Sequence, residues 1–193
     1  MNVVELHQRA CDRFTELVRA IPDGQWAVAT PCAGWDVRAL VNHVTAEDLW
    51  TPPLLAGATI TEVGSRFDGD VLGADPAAAC THAAADAVTA ASSGGALRRT
   101  VHLSFGDVPG EEYVCQLFTD HLIHAWDLAR AIGADDHLGA DLVEACAAWF
   151  AGKEDAYRAA GAIGPRPGLP AHASQQAILL AAFGRTTTAG AAT

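Results

Sequence analysis

The chain has 193 residues, of which half are apolar and 18% are charged, and this composition is typical of a globular protein rather than a disordered one. Its formal net charge is −11, from 12 basic and 23 acidic side chains, so its surface repels phosphate backbones and we expect no nucleic-acid partner. No apolar run approaches the roughly 18 residues of a membrane-spanning helix, and the N-terminus lacks the basic-then-apolar layout of a signal peptide. We therefore expect a cytoplasmic protein that does not enter membranes.

The first two predicted helices follow from apolar spacing and from turn residues. Over residues 3–20, apolar side chains recur every three or four positions and mark one face of a helix, which a Pro-Asp-Gly turn then stops. After a turn-rich connector, a second helix opens at Trp35-Asp36, with Asp36 as its candidate N-cap. Pro52-Pro53 ends or kinks this helix, because proline cannot continue the backbone hydrogen bonding.

The middle of the chain alternates between loop and helix signals. Residues 59–75 are rich in Gly and Asp without periodicity, which predicts a long loop of the kind that is often functional. Asp75-Pro76 predicts the start of a third helix, which runs to about residue 91, because proline suits the first helical position. Residues 100–108 alternate in polarity and predict a short β-hairpin.

Three more helices are predicted in the second half of the chain, and alanine, the best helix former, is abundant throughout. The predicted fold class is all-α: a helical bundle with extra C-terminal helices and a short hairpin. We predict one domain over residues 1–185 and a flexible tail over 186–193. The three helices cover residues 111–132, 139–160 and 174–183.

The cysteines favour reduced thiols over a disulfide framework. Their number is odd, their spacings are wide, and no CxxC pair occurs. In a chain expected in the cytoplasm, buried and reduced cysteines are the usual case. The positions are Cys11, Cys32, Cys80, Cys115 and Cys146.

A polar cluster on the fourth predicted helix suggests a metal site. Asp120 and His124 are four residues apart and therefore share one face, so a carboxylate and an imidazole can grip one divalent ion. His43, in the middle of the apolar second helix, is the best candidate for a third ligand from another helix. Two histidines and one carboxylate leave coordination positions open, as catalytic metal sites do.

Other side chains compete for these roles. If Asp120 points away, His121 could replace it as a ligand. Glu47 follows His43 by one helical turn, and it is either a ligand, a neighbour that supports a ligand, or part of a solvated helix face. Asp127 either orients a ligand or pairs with Arg130. Each histidine also has an ordinary interpretation as a hydrogen-bonded core residue, since buried polar groups usually have partners.

Two segments resemble a known protein family. Residues 120–133 read Asp-His-Leu-Ile-His-Ala-Trp-Asp-Leu-Ala-Arg-Ala-Ile-Gly, in which the His-Ala-Trp-Asp-Leu-Ala block is the most specific part. Residues 30–38 read Thr-Pro-Cys-Ala-Gly-Trp-Asp-Val-Arg and are followed by Leu-Val-Asn-His-Val at 40–44. Both resemble the mycothiol-dependent maleylpyruvate isomerase N-terminal group of the DinB-like superfamily. Residues 176–185 resemble the close of its single-domain actinobacterial subgroup.

This resemblance implies a four-helix bundle with a metal ion at one end of its interior. It also implies the ligands, which are a histidine on the second helix and an acidic residue and a histidine spaced by four on a later helix. Carried over to this chain, these are His43, Asp120 and His124. The isomerase has Glu where this chain has Asp120, and the shorter side chain reaches less far.

The residues and the resemblance together predict a divalent-metal-dependent enzyme of the mycothiol-dependent thiol transferase or isomerase type. Its substrate would be a small electrophilic molecule, its metal zinc or alternatively nickel, and its thiol cofactor mycothiol. Coordination stabilises a thiolate, which is the nucleophile. His121 or Glu47 would move protons, and the loop at residues 59–75 would cover the site.

The rival interpretation is a non-catalytic metal-binding or dimerisation module, in which the metal is structural or absent. A site closed by four protein ligands would favour this rival, whereas an open position beside a pocket would favour the enzyme. A third interpretation is a plain helical scaffold with hydrogen-bonded core histidines. The expected partners are a small-molecule substrate or a thiol, with a homodimer as a further alternative.

Overall fold

Helix α1 (Val3–Arg19) begins where its capping residues place it. In the computed structural model, which describes residues 1–187, the Asn2 side chain accepts a hydrogen bond from the Glu5 backbone N–H, and the Glu5 carboxylate accepts one from the Asn2 backbone N–H. This reciprocal pair satisfies N–H groups that have no partner within the helix. The face predicted from the apolar spacing is buried, including Ala10, Phe14, Leu17 and Val18.

Helix α2 (Val37–Leu55) starts after Asp36, whose carboxylate accepts a hydrogen bond of 2.8 Å from the backbone N–H of Ala39. Asp36 is therefore an N-cap, as its position predicts. The helix passes through Pro52-Pro53 and ends at Leu55. Leu54 and Leu55 are 2% and 1% exposed, so their burial favours two further helical residues despite the backbone hydrogen bonds that proline removes.

The segment between α2 and the next long helix contains one short helix, α3 (Ile60–Val63), which Thr59 caps. The sequence predicts only loop there, because four residues are too few to show a periodic pattern. Helix α4 (Pro76–Ser92) starts after Asp75, whose carboxylate accepts from the Ala78 N–H, and it has proline at its first position as predicted.

The predicted hairpin near residues 100–108 is confirmed as strands β1 (Thr100–Leu103) and β2 (Gly106–Pro109), which pair antiparallel. Helix α5 (Gly110–Ile132) follows β2 directly and ends at Gly133, whose φ of +71° places it in the left-handed region that glycine adopts easily. Gly110 lies against the chain before the hairpin, so closely that a Cβ atom there would be 2.1 Å from the carbonyl oxygen of Ala96.

Four long helices form the bundle of the first compact unit, Met1–Asp136. Helix α1 packs on α5, α5 on α2, α2 on α4, and α4 on α1, so the four enclose one interior. This arrangement, together with the hairpin, confirms the predicted helical-bundle fold class. The side chains that fill one part of the interior include Phe14, Val37, Leu40, Val41, Val44, Cys80, Ala125 and Leu128.

The second compact unit begins at His137 and contains α6 (Ala140–Phe150), α7 (Glu154–Ala159) and α8 (Gln175–Ala182). The single helix predicted over residues 139–160 is two helices, because the chain turns at Ala151–Lys153, where Gly152 has a φ of +77°. Within this unit α6 packs on α8, and the rings of Phe150 and Phe183 stack with centroids 4.1 Å apart.

Two predictions concern the ends of the chain and its relation to membranes. Residues 188–193 of the predicted tail lie outside the described residues, and the single domain over residues 1–185 stays a prediction. Within the described residues, no helix is both long and apolar enough to span a bilayer.

Candidate metal centre

The connector before α2 is a tight turn that holds two side chains against the bundle. The hydroxyl of Thr30 donates to the carbonyl oxygen of Trp35 at 2.9 Å, and the backbone N–H of Cys32 donates to the same hydroxyl oxygen at 3.1 Å. Gly34, with a φ of +83°, lets the chain reverse between them. The turn thus fixes the positions of Cys32 and Trp35 at the start of α2.

Three side chains from α2 and α5 converge beside this turn. The Nε2 atom of His43 lies 3.4 Å from Oδ2 of Asp120, and the Nε2 atom of His124 lies 3.3 Å from Oδ1 of the same carboxylate. One ligand atom from each residue lies within 4.8 Å of the others. The i, i+4 spacing puts Asp120 and His124 on one face of α5, and the packing of α2 on α5 brings His43 to that face.

The exposure of these side chains leaves one side of the cluster open. The side chains of His43 and Asp120 are 30% and 31% exposed, whereas that of His124 is 8% exposed. Nevertheless, the Oδ2 atom of Asp120 is buried and has no hydrogen-bond partner. The two oxygens of this carboxylate each face one imidazole nitrogen, and a divalent cation among them would satisfy the oxygen that has no donor. These residues therefore fit a metal ion with protein ligands on one side only.

The orientation of His124 is set by a second carboxylate. Its Nδ1 atom lies 3.0 Å from Oδ2 of Asp127, which is buried and can only accept a hydrogen bond when ionised. The Nδ1 atom therefore carries a hydrogen, and Nε2, which faces Asp120, is the nitrogen that presents a lone pair when the ring is neutral. The thiol of Cys32 donates to the same Asp127 oxygen at 3.1 Å. Cys32 thus lies on the Nδ1 side of the ring, away from the Nε2 lone pair.

The electrostatics of the cluster favour charged partners. Burial by itself would raise the pKa of Asp120, but the neighbouring His124 and His43 hold that pKa well below its ordinary value. Burial would likewise lower the pKa of His124, yet Asp120, Asp127 and Cys32 raise it well above its ordinary value. In the metal-free protein a proton on His124 therefore balances the carboxylate, and a bound cation would take the place of that proton.

Trp35 forms one wall of the cluster. The centroid of its ring system lies 4.8 Å from that of His43 and 5.8 Å from that of His124. The two imidazoles meet edge to face, with centroids 5.2 Å apart and planes at 78°. This packing limits the rotation of both imidazole rings and covers the cluster with an apolar surface.

Comparison with known proteins identifies the family of this chain. The family model for the mycothiol maleylpyruvate isomerase N-terminal domain matches residues 7–129, which include all three converging side chains. The chain belongs to this family. Two uncharacterised proteins from two strains of Mycobacterium tuberculosis are each 34% identical to the chain over 146 residues, which is 74% of this chain and 74% of each relative.

A solved structure of a family enzyme shares the fold. It is a crystal structure of the mycothiol-dependent maleylpyruvate isomerase in which one histidine is replaced by alanine. The two structures align with a TM-score of 0.63 at 16% identity, over 85% of this chain and 72% of that one. The predicted resemblance to the isomerase family is confirmed, and the structural likeness shows a common fold.

Within this family member, the structure separates the two candidates for proton transfer. Glu47 is half-buried one turn after His43, and burial together with the charge of Asp120 raises its pKa. His121 is 0% exposed and turns away from the imidazoles of His43 and His124: its Nδ1 atom donates to the Leu117 carbonyl oxygen at 2.9 Å. His121 and Asp120 therefore point in different directions, and only Asp120 lies beside His43 and His124.

The loop predicted to cover the site is attached to α2. The side-chain nitrogen of Asn42 donates to the Gly69 carbonyl oxygen, and its side-chain oxygen accepts from the Val71 N–H, each at 2.9 Å. The guanidinium of Arg38 lies 2.7 Å from the Asp70 carboxylate. Since Asn42 immediately precedes His43, these bonds hold the loop along the part of α2 that carries the candidate ligand.

Sequence reasoning missed the roles of Cys32 and Trp35. No nearby motif marks either residue as functional. Cys32 contacts Asp127, and Trp35 contacts His43 and His124, and these contacts form only when the helices pack. Both lie in the Thr-Pro-Cys-Ala-Gly-Trp-Asp segment that resembles the family, so that segment was the available signal. Of the two roles expected for Asp127, the structure places it 3.0 Å from His124, where it orients a candidate ligand, and Arg130 contacts Asp136 at 3.3 Å.

Proposed function

We propose that this chain is a divalent-metal-dependent enzyme that uses a low-molecular-weight thiol, mycothiol, to transform a small electrophilic molecule by transfer or isomerisation. The observation that carries this proposal is the convergence of His43 and His124 on the two oxygens of the Asp120 carboxylate, of which Oδ2 is buried without a hydrogen-bond partner. Three ligands with an open side suit a site that also binds a substrate or water.

Each residue of the centre has a distinct task in this proposal. With a metal ion bound, His43 and His124 would each present a ring nitrogen and Asp120 a negative oxygen, while Asp127 holds the Nδ1 hydrogen of His124 so that its Nε2 is the nitrogen that binds. A divalent ion bound there would keep a thiol sulfur deprotonated near neutral pH. Trp35 packs on both imidazoles, excludes water from that side and provides an apolar wall for a small substrate.

Proton transfer is assigned to Glu47. It follows His43 by one turn of α2 and feels the charge of Asp120, so it lies at the edge of the centre. In the proposed step Glu47 takes the proton of the thiol as it enters the site, which leaves a thiolate. The thiolate sulfur then bonds to an electrophilic carbon of the substrate, and the electron pair displaced from that carbon moves onto a conjugated carbonyl oxygen in an isomerisation, or departs with the leaving group in a transfer. In an isomerisation, the same proton returns to the sulfur when that bond breaks, so the thiol is not consumed.

Zinc is the proposed metal and nickel the alternative, because both accept two imidazoles and a carboxylate. Among the described residues no disulfide joins the five cysteines, which supports the proposed cytoplasmic location, where thiols stay reduced. Because one side of the cluster is open, the proposed partners are small molecules, namely a thiol and its substrate.

The first test is metal content in the protein purified without a His tag. We expect His43→Ala and His124→Ala each to lower the zinc content by one equivalent relative to wild type. His102→Ala is the matched control, since His102 lies on the hairpin, where it pairs with Asp107. Unchanged zinc in both variants would contradict the assigned ligands.

The second test is thiol-dependent turnover. Mycothiol is supplied with maleylpyruvate in one assay and with 1-chloro-2,4-dinitrobenzene in another. We expect turnover of at least one substrate that needs both mycothiol and zinc and is lost in His124→Ala. Full metal occupancy without thiol-dependent turnover of either would favour the non-catalytic module, and sedimentation analysis would then test whether that module forms homodimers.

A further inference from the structure

A second group of potential ligands lies inside the bundle, separate from the centre described above. His7 and Cys11 come from α1, Asp48 from α2 and His121 from α5, and one ligand atom from each lies within 4.8 Å of the others. His7, Asp48 and His121 are 0% exposed and Cys11 is 2% exposed. Imidazole, thiol and carboxylate groups are rarely buried together in this way unless they bind each other or an ion.

Several atoms of this cluster have no partner within the described protein. Both ring nitrogens of His7 are buried without a hydrogen bond, and so is the Oδ1 atom of Asp48. The neighbour of His7 is the ring of His121, which it meets edge to face with centroids 5.3 Å apart. An imidazole that is fully buried and unpartnered loses its hydration without compensation, which is costly in a natural core.

The two ring nitrogens of His121 both face oxygen atoms. Its Nδ1 atom is 2.9 Å from the carbonyl oxygen of Leu117, which can only accept, so Nδ1 carries a hydrogen. In the neutral ring, Nε2 therefore presents a lone pair to Oδ2 of Asp48, 3.2 Å away. A proton on Nε2 satisfies this one contact, since burial would lower the pKa of His121 but Asp48 and Cys11 raise it well above its ordinary value. The case for a cation therefore rests on the unpartnered ring nitrogens of His7 within the same cluster.

We propose that His7, Cys11, Asp48 and His121 form a second, structural metal site that binds one zinc ion in the core of the bundle. A proton between His121 and Asp48 would satisfy only the contact between those two residues. A single cation would satisfy that contact and would also bind a ring nitrogen of His7 and the sulfur of Cys11. Tetrahedral zinc places neighbouring N, O and S ligands about 3.2–3.8 Å apart, as follows from its bond lengths of about 2.0–2.3 Å. The contact of 3.2 Å between His121 and Asp48 matches such an edge.

The charges of the four ligands suit a buried zinc ion. A thiolate and a carboxylate carry two negative charges and the neutral imidazoles none, so the loaded site has no net charge, which lowers the cost of burying the ion. Burial lowers the pKa of His7 to about 3, which keeps its ring neutral and able to bind. Burial also raises the pKa of the Cys11 thiol, so zinc binding must release the thiol proton to solvent.

This site differs in kind from the centre at His43. Four protein ligands close it, and its burial leaves no position for substrate, which is the pattern of structural zinc. Because three helices contribute ligands, the ion joins α1, α2 and α5 within the bundle. A buried ion cannot leave without opening the core, so its exchange is expected to follow unfolding rather than chelation of the native protein.

The decisive experiment measures zinc in the wild-type chain. Protein without a His tag, expressed in zinc-supplemented medium, is dialysed against EDTA under native conditions, and again after unfolding in guanidinium. We expect one equivalent to survive native dialysis and to be released on unfolding. If no zinc survives native dialysis, the proposal is overturned, and the cluster is instead a hydrogen-bonded pair of His121 and Asp48 beside an unpartnered His7.

Cobalt(II) substitution identifies the ligands. A thiolate ligand adds a near-ultraviolet charge-transfer band to the cobalt spectrum, and we expect Cys11→Ser to abolish it. Cys32→Ser changes a cysteine next to His124 and is expected to retain the band. Cys146→Ser places a hydroxyl at another buried cysteine and is also expected to retain the band. No band in the wild type, or a band that Cys11→Ser leaves intact, would overturn the proposal. If Cys11→Ser does not fold, the wild-type zinc measurement alone decides.

The second site does not depend on the proposed function. In a His43→Ala, His124→Ala double variant, we expect the EDTA-resistant zinc to remain while the exchangeable zinc and turnover are lost. Loss of the resistant zinc in that folded variant would overturn the assignment to His7, Cys11, Asp48 and His121. Absence of turnover in wild type bears on the function and leaves the zinc measurement unchanged.

Discussion

The Nδ1 atom of His124 lies 3.0 Å from Oδ2 of Asp127, one turn further along α5. This contact makes a carboxylate–histidine pair whose free Nε2 faces Asp120, as in many metal sites. We predict that Asp127→Asn weakens zinc binding at the His43 centre by about 10- to 100-fold. The neutral amide lacks the negative charge of the carboxylate, and it no longer fixes the hydrogen of His124 on Nδ1. Competition with a chromogenic chelator measures this affinity.

The matched control for that prediction is Cys32→Ser. Its sulfur donates to the same Asp127 oxygen at 3.1 Å, and a serine hydroxyl can donate likewise. We therefore expect a much smaller change in zinc affinity. Equal losses in the two variants would contradict the role given to Asp127.

Zinc binding at the His43 centre should stabilise the fold by mass action. At a free zinc concentration of about 100 times the dissociation constant, binding contributes about 2.7 kcal/mol, which corresponds to a Tm increase of about 5–10 °C for a chain of this size. We expect this increase in EDTA-treated wild type and not in the His43→Ala, His124→Ala double variant. Differential scanning fluorimetry with and without zinc makes the comparison, and an equal increase in both would contradict a site at these residues.

Glu47→Gln should separate catalysis from metal binding. The amide keeps the size of the side chain but cannot take the thiol proton, so we expect kcat to fall by about 10²- to 10⁴-fold while zinc content is unchanged. Glu16→Gln, on the exposed surface of α1, is the control and should retain wild-type kcat. A lowered zinc content in Glu47→Gln would instead make Glu47 a ligand.

Gly110→Ala should destabilise the start of α5. The added Cβ would lie 2.1 Å from the Ala96 carbonyl oxygen, which is backbone and cannot rotate away, so we expect a loss of about 1–3 kcal/mol in the free energy of unfolding. Gly94→Ala is the matched control, because a Cβ there meets no atom within 4 Å. Urea denaturation of both variants tests the difference, which should vanish if α5 can shift away from Ala96.

Phe14→Ala should show how much the packed interior of the bundle contributes to the free energy of unfolding. Phe14 is 0% exposed on α1, and its ring meets that of His121 edge to face at 5.9 Å. We expect a loss of about 3–5 kcal/mol in the free energy of unfolding from the cavity and the lost burial. Phe105→Ala, where the side chain is 70% exposed in the hairpin turn, is expected to change stability little. Similar losses in both variants would contradict this core.

Some parts of the fold could be predicted because their causes are local. Asp36 caps α2 and Asp75-Pro76 starts α4 through contacts within three residues. The split between α6 and α7 was not predicted, because a single glycine within a helical pattern is compatible with a continuous helix, and only the structure shows that Gly152 has a positive φ. Helix starts that depend on contacts within a few residues could therefore be predicted, whereas the break between α6 and α7 could not.

The sequence by itself determined that Asp120 and His124 share a face of one helix, because a spacing of four is a property of the helix alone. The same spacing relates His7 and Cys11, but nothing in the sequence marked that pair as more than core. Only the tertiary structure decided that α2 brings His43 to the first pair and Asp48 to the second, while adjacent residues of α5, Asp120 and His121, serve different clusters. The reason is physical: the contacts between helices depend on how their apolar faces pack, and that packing is a property of the whole bundle.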